Sequence, residues 1–194
     1  MSTQFQIISA AMLAIDGNAV QSYTDGSREA AVAEATYDTL KKTFLSSSNW
    51  NCVVGFWQLS REVAAPDNKL WSYQFLPPPE WLSYIDIVDA NGRSLDYASE
   101  GGKILCNSDT VVAKYRKNLS EGDFPAWLEL AFIYFLAVHW ANPISGDENV
   151  LAVALGHADR TSKIAKLEDG RNNPPFVLIQ GANSPWLAAH RGSR

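Results

Sequence analysis

The feature that most constrains this chain is a helical stretch, residues 124–140, with almost no polar face. Its apolar residues are Trp127, Leu128, Leu130, Phe132, Ile133, Phe135, Leu136 and Val138. A helix that is apolar all round must be covered on several sides. The stretch is too short to span a bilayer and contains Glu129. We therefore expect a central helix of a soluble domain, and Asn142–Pro143 is expected to end it.

Composition favours a folded domain with extensive apolar surface. The chain has 194 residues, of which 46% are hydrophobic and 19% are charged, together with seven Trp, seven Tyr and eight Phe. Few charges and many aromatics indicate either surface that is buried between subunits or a well-filled monomer core. The net charge of −5 argues against a general nucleic-acid binder, because such proteins neutralise phosphates with clustered Lys and Arg.

Two helices are predicted before the first strand. In the first, Phe5, Ile8, Met12 and Ile15 follow the 3.6-residue period, Ser2 or Thr3 can cap the start, and Gly17 is expected at the C′ position. The second helix should begin near Ser27 and end at the serines at 46–48. Its periodic residues are Ala33, Tyr37, Leu40 and Phe44.

The pattern then changes to that of β-strands. β-branched and aromatic runs at 53–59, 71–76, 84–88, 103–106 and 111–115 alternate with turn signals. Asn91–Gly92 suits a two-residue hairpin, and Gly101–Gly102 marks another turn. We expect residues 51–118 to form a small antiparallel sheet or sandwich that is inserted between helices.

A fourth helix should follow a capping box formed by Ser145 and Glu148 and should end at Gly170. Its apolar stripe would be Leu151, Leu155, Ala158, Ile164 and Leu167. The predicted fold is thus α+β. One domain covers residues 1–170, with a four-helix bundle from residues 1–50 and 119–170.

Residues 171–194 are predicted to form an extended arm. Pro174–Pro175 disfavours helix, and the later glycines, Asn183 and Ser184–Pro185 keep the segment open. The candidate interface residues are its large apolar side chains: Phe176, Val177, Leu178, Ile179, Trp186 and Leu187. Such a segment needs another surface to bury these groups, and a neighbouring subunit is favoured over its own domain.

The chain shows no motif for chemistry. It has no glycine-rich phosphate loop, no GxSxG elbow and no HxxxH pair. His139 on the apolar helix is more typical of a buried core histidine. Cys52 and Cys106 are isolated and are expected to be free thiols in a reducing compartment. We expect no catalytic residue, cofactor or metal. The alternative is a small soluble enzyme whose site uses Glu129, His139 or His157.

Several short motifs resemble one known family. They are SAAMLAIDG at 9–17, Trp50–Asn51 with Trp57 and Leu59, WSYQFLP at 71–77 with Trp81–Leu82, GKIL at 102–105, Val112 with Tyr115, and ANPISG at 141–146. Together with the order of helices and strands, they are similar to the tail tubular protein A family, the head–tail adaptor proteins of tailed bacteriophages. The resemblance covers residues 5–170, although a triple proline at 77–79 stands where the family has one.

The resemblance implies a structural virion protein. It implies a ring, usually of twelve subunits, that joins the portal protein to the tail or nozzle protein and lets genomic DNA pass through its lumen without sequence-specific binding. It places the protein in the virion neck, and in the host cytoplasm before assembly, with no membrane partner. A different phage neck or tail-completion protein remains a second alternative.

Overall fold

A computed structural model of the chain describes residues 2–172. It is a mixed α/β protein with four helices and two small antiparallel sheets. The helices are α1 (Gln4–Leu13), α2 (Arg28–Ser47), α3 (Ala126–Ile144) and α4 (Glu148–Asn172). The strands are β1 (Val54–Gln58), β2 (Tyr73–Phe75), β3 (Trp81–Val88), β4 (Tyr97–Glu100), β5 (Lys103–Cys106) and β6 (Val112–Lys117).

The central position of α3 is confirmed. α1, α2 and α4 all pack against it. Leu128, Phe132 and Leu136 are completely buried. The ring of Phe132 contacts aromatic rings on several sides, which belong to Tyr37, Phe44, Phe124 and Phe135. Burial of such rings is the main apolar contribution to this layer.

The helix starts agree with their predicted caps. Thr3 and Gln6 form a capping box, in which the Thr3 hydroxyl accepts from the Gln6 N–H and the Gln6 side chain accepts from the Thr3 N–H. The Ser27 hydroxyl accepts from the N–H of Ala30 at 3.1 Å. Both residues satisfy donors that a helix N-terminus leaves free.

The predicted ends of α1 and α3 are wrong. α1 ends at Leu13, and Asp16 rather than Gly17 adopts the left-handed conformation (φ 60°). α3 continues through Pro143 to Ile144. It stops where Gly146 turns left-handed (φ 68°) and donates its N–H to the Ala141 carbonyl. Proline is tolerated there because the backbone bond it removes belongs to the last turn.

The fourth helix also differs at both ends. Ser145 belongs to the end of α3, so the predicted capping box is absent. Asp147 instead caps α4, since its carboxylate accepts from the Asn149 N–H at 2.7 Å. Gly170 does not end the helix, which continues to Asn172, so an arm would begin no earlier than residue 173.

The predicted apolar stripe of α4 is confirmed only in part: Leu151 packs against the helical core and Ala158 is half-buried. Its buried residues are Ala154, Thr161, Ala165 and Asp169, whereas Leu155, Ile164 and Leu167 are exposed. Small side chains on the buried face let α4 approach α3 closely, and the larger residues therefore face outward.

The β region forms two three-stranded sheets, in the orders β1-β6-β3 and β2-β5-β4. One hydrophobic cluster takes residues from both sheets, including Phe75, Ile87, Ile104, Ala113 and Tyr115. β4 was not predicted, because its sequence (YASE) is short and half polar. Conversely, Val53, predicted as strand, lies in a short 3₁₀ turn, Asn51–Val53.

Both predicted turns lie where they were expected. Gly101–Gly102 is the two-residue hairpin, with positive φ at both positions (58° and 76°) between Glu100 and Lys103. At Asn91–Gly92 the loop is longer than predicted, because Asp89 and Arg93 are its flanking pair. The Asp89 carboxylate accepts from the N–H groups of Asn91 and Arg93 and stabilises that longer loop.

A buried polar cluster ties α2 to the entry of α3. Tyr37 and Lys41 both donate to the carboxylate of Glu121, at 3.0 and 2.9 Å. Burial raises the pKa of the Tyr37 hydroxyl, and the nearby Glu121 charge raises it further. Burial raises the pKa of Glu121, but the hydrogen bond and charge of Lys41, a backbone N–H and the Tyr37 hydroxyl together outweigh it, so the pKa of Glu121 is lowered.

The position of α3 predicts a large difference between two apolar residues of that helix. Phe132→Ala should lower the free energy of unfolding by about 3–5 kcal/mol, because it empties a fully buried site. Leu130→Ala, at a residue that is 46% exposed, should change it by no more than about 0.5 kcal/mol. Urea titration measures both values, and similar losses for the two variants would show that α3 is not central.

Candidate assembly surface

The predicted interface residues of the arm, Phe176, Val177, Leu178, Ile179, Trp186 and Leu187, lie outside the described residues. The structure does place the point from which residues 173–194 depart, which is the end of α4. It also shows which apolar surfaces residues 2–172 leave exposed. These two observations define the candidate assembly surface.

The end of α4 is attached to the start of the β region by Asp169. Its buried carboxylate accepts from the backbone N–H of Asn51 at 2.7 Å, from the Asn51 side-chain amide at 3.0 Å and from the Cys52 N–H at 3.2 Å. It therefore caps the 3₁₀ turn that leads into β1. Sequence reasoning missed Asp169, although its spacing from Ala154, Thr161 and Ala165 places it on their face of the helix.

The Asp169 carboxylate also affects the protonation state of the Cys52 thiol. Burial raises the pKa of its thiol to about 12, and the neighbouring Asp169 carboxylate adds to the effect. The group is therefore a neutral thiol at physiological pH. Cys52 and Cys106 are both free, as predicted, although Cys52 lies in the 3₁₀ turn rather than in a strand.

The first exposed apolar surface is strand β1. Phe56 and Trp57 lie on opposite faces of this edge strand and are 65% and 46% exposed. The ammonium of Lys114 lies 5.8 Å from the centre of the Phe56 ring, within cation–π range. Exposed aromatics on an edge strand are typical of a protein–protein contact.

The outer side of α4 is the second such surface. Val153, Ile164 and Leu167 are all exposed, and their helical spacing places them on one side, away from the buried Ala154 and Ala165. The ion pair between Lys163 and Asp159 lies on the same helix. This side combines apolar and charged groups, which is usual for the rim of an interface.

A third surface is an apolar groove between α2 and α3, with a volume of about 480 Å³. Its lining includes Val32, Ala35, Leu40, Trp140 and Pro143. The indole N–H of Trp140 donates to the hydroxyl of Thr36 at 2.9 Å, so the polar atom of that ring is satisfied.

The residues of the enzyme alternative do not converge. Glu129 and His139 are both on α3, ten residues and therefore about 15 Å apart along the axis. The expectation that His139 is buried is wrong: it is exposed beside the apolar groove, with its Nδ1 2.8 Å from the Phe135 carbonyl. His157 stacks on Tyr134 at 4.9 Å.

Within residues 2–172, no three His, Cys, Asp or Glu side chains are placed to hold a metal ion. No helix in that range has the length and hydropathy needed to cross a membrane.

Comparison with known proteins adds no relative: no protein-family model matches the chain, and no curated protein matches it either. The resemblance to head–tail adaptors therefore stays a prediction from the motifs themselves.

The Asp169 contact predicts a selective loss of stability. Asp169→Ala should lower the free energy of unfolding by about 2–3 kcal/mol, because the N–H groups of Asn51 and Cys52 lose their charged acceptor. It should also speed alkylation of Cys52. The control, Asp159→Ala, breaks an exposed ion pair on the same helix and should cost less than about 1 kcal/mol. Equal losses in chemical denaturation would contradict this role of Asp169.

Proposed function

We propose that this chain is a structural virion protein, a head-to-tail adaptor. In this proposal about twelve copies form a closed ring that joins the portal protein to the tail or nozzle protein, and genomic DNA passes through the lumen. The observation that carries the proposal is the apolar surface that residues 2–172 leave exposed on β1 and on the outer side of α4. The resemblance of the short motifs to head–tail adaptors then indicates that the assembly is a ring between portal and tail.

The physical argument is that the subunit has a complete core and still exposes aromatics. Phe132, Leu136 and Trp140 fill the helical layer, whereas Phe56 and Trp57 belong to neither of the two buried apolar clusters. Large aromatic side chains that stay exposed on an edge strand are typical of a protein–protein contact. Copies of one chain related by rotation would cover the same surface on every subunit.

The charge of the chain is consistent with a DNA conduit. The net charge is −5, and an acidic protein repels phosphates rather than binding them. DNA would then pass without sequence-specific contacts. The proposal includes no catalytic step, cofactor or membrane, and it places the protein in the virion neck, with the host cytoplasm before assembly.

The finer description of the fold belongs to the same proposal. We propose that the four helices act as one bundle, supported by the packing of α1, α2 and α4 against α3. The β region and an arm from residue 173 onward would then be the parts that meet neighbours. A neck or tail-completion protein with a different partner would use the same surfaces, and partner identity distinguishes the two.

Deleting residues 173–194 tests the proposal. The full-length chain should form closed rings of about twelve copies at high concentration, whereas the truncated chain should stay monomeric with an unchanged melting temperature, because its core lies in residues 2–172. Native mass spectrometry and negative-stain electron microscopy measure assembly.

A full-length chain that stays monomeric at every concentration would contradict the proposal. A truncated chain that assembles as well as the full-length one would contradict the role of the arm and leave the ring standing.

A further inference from the structure

We propose that the free edge of β1 accepts residues 176–179 of a neighbouring copy as an added antiparallel strand. This inference rests on the proposed function, since it names the contact by which one subunit of the ring holds the next. Four observations support it. The free edge of β1 has no charge or proline, and the edges of the other described strands are protected. Residues 176–179 are apolar, and α4 ends close to the start of β1.

Among the described residues, β1 is an edge strand that carries no charge, proline or bulge to block pairing. It is hydrogen-bonded to β6 on one side, and no strand within residues 2–172 pairs with its other side. Its register with β6 runs without interruption from Val54 to Gln58, and its sequence (VGFWQ) contains no charge and no proline. Proteins usually protect such edges with charges, prolines or bulges, because an unprotected edge pairs with other chains.

The other edges formed by the described residues are protected. β3 has two register shifts against β6, near Ser83 and Asp86, and bulges of this kind disturb the row of free donors and acceptors. β2 is already paired on its outer side, because the Glu62 N–H donates to the Gln74 carbonyl and the Leu76 N–H to the Ser60 carbonyl. β4 has four residues and ends in Glu100.

Residues 176–179 (FVLI) have the composition of a strand. In an added strand, alternate side chains face opposite sides of the sheet. One pair would pack beside Phe56 and the other beside Trp57, the two exposed aromatics of β1. Aromatic and β-branched partners across neighbouring strands stabilise a sheet.

The position of the end of α4 indicates whether the added strand comes from the same chain or from a neighbouring one. Asp169 holds the last turns of α4 beside Asn51 and Cys52, at the beginning of β1. Four residue steps separate Asn172 from Phe176 and span at most about 13 Å. An antiparallel strand in the same chain would need Phe176 beside Gln58, six residues or about 20 Å beyond Cys52.

From beside Cys52, the chain's own arm can therefore place Phe176 no further along β1 than about Phe56, so it could pair with the whole of β1 only by running parallel to it. Every strand pair in residues 2–172 is antiparallel, and parallel pairing is slightly less stable per residue. A neighbouring copy is free of this limit on reach. The geometry thus favours an arm from the next subunit.

Disulfide trapping between two differently tagged full-length chains tests the contact. Gln58→Cys in one chain should bridge to Phe176→Cys in the other, and Phe56→Cys should bridge to Leu178→Cys, since both pairs belong to the same antiparallel register. Gln58→Cys should not bridge to Ile179→Cys, because three residues displace the pair by about 10 Å, beyond the reach of about 7 Å between Cα atoms. The control is Val63→Cys, which is fully exposed and away from the edge.

We expect at least about tenfold more disulfide-linked dimer of the two tagged chains for Gln58→Cys with Phe176→Cys than for Val63→Cys with Phe176→Cys. The reason is that the ring holds the first pair of positions together. Buried Cys106 and the neutral thiol of Cys52 should leave the chain without added cysteines uncrosslinked. Equal dimer for the control, or bridges that form within one chain between positions 54 and 176, would overturn the inference.

Electron microscopy of the same samples shows separately whether closed rings form. Rings without the 58–176 bridge would overturn this contact and leave the adaptor function standing. A specific bridge in open chains or dimers, without rings, would support the contact and contradict the adaptor function.

Discussion

The structure depends on the burial of α3. This helix is apolar on all sides, and it can be stable in water only when other elements cover it. α1, α2 and α4 supply that cover, and the ring of Phe132 is in contact with aromatic groups from α2, α3 and the segment before α3. α4 covers α3 with one side only, and Val153, Ile164 and Leu167 remain exposed on its outer side.

The sequence was sufficient to predict features that depend on residue type and hydrophobic periodicity. It predicted four helices, the central role of α3, the caps at Thr3 and Ser27, and the turn at Gly101–Gly102. It was not sufficient where tertiary contacts overrode a local preference. Gly170 stays helical, and Asp169 beside it is held by Asn51 and Cys52, a contact between residues more than a hundred positions apart. The buried face of α4 was missed because Ala and Thr give a weaker signal than Leu and Ile.

The candidate site was predictable only in part. The apolar residues at 176–179 indicated a segment that needs another surface to bury its side chains. No sequence pattern could identify the strand edge that would bind it. Whether β1 is an edge depends on the strand order β1-β6-β3, which joins residues about sixty positions apart in the chain. Asp169 then connects fold and assembly, because it holds the point of departure of residues 173–194 beside the start of β1.

The central claim is that surface left exposed by the subunit is covered by another copy, and amide hydrogen exchange tests it directly. The full-length chain is compared as dilute monomer and as assembled particle. The account predicts that α3 is protected in both states. The alternate amides of β1 that face away from β6, and those of residues 176–179, become protected only on assembly, since their free donors gain partners. Equal exchange of β1 in the two states would contradict the claim.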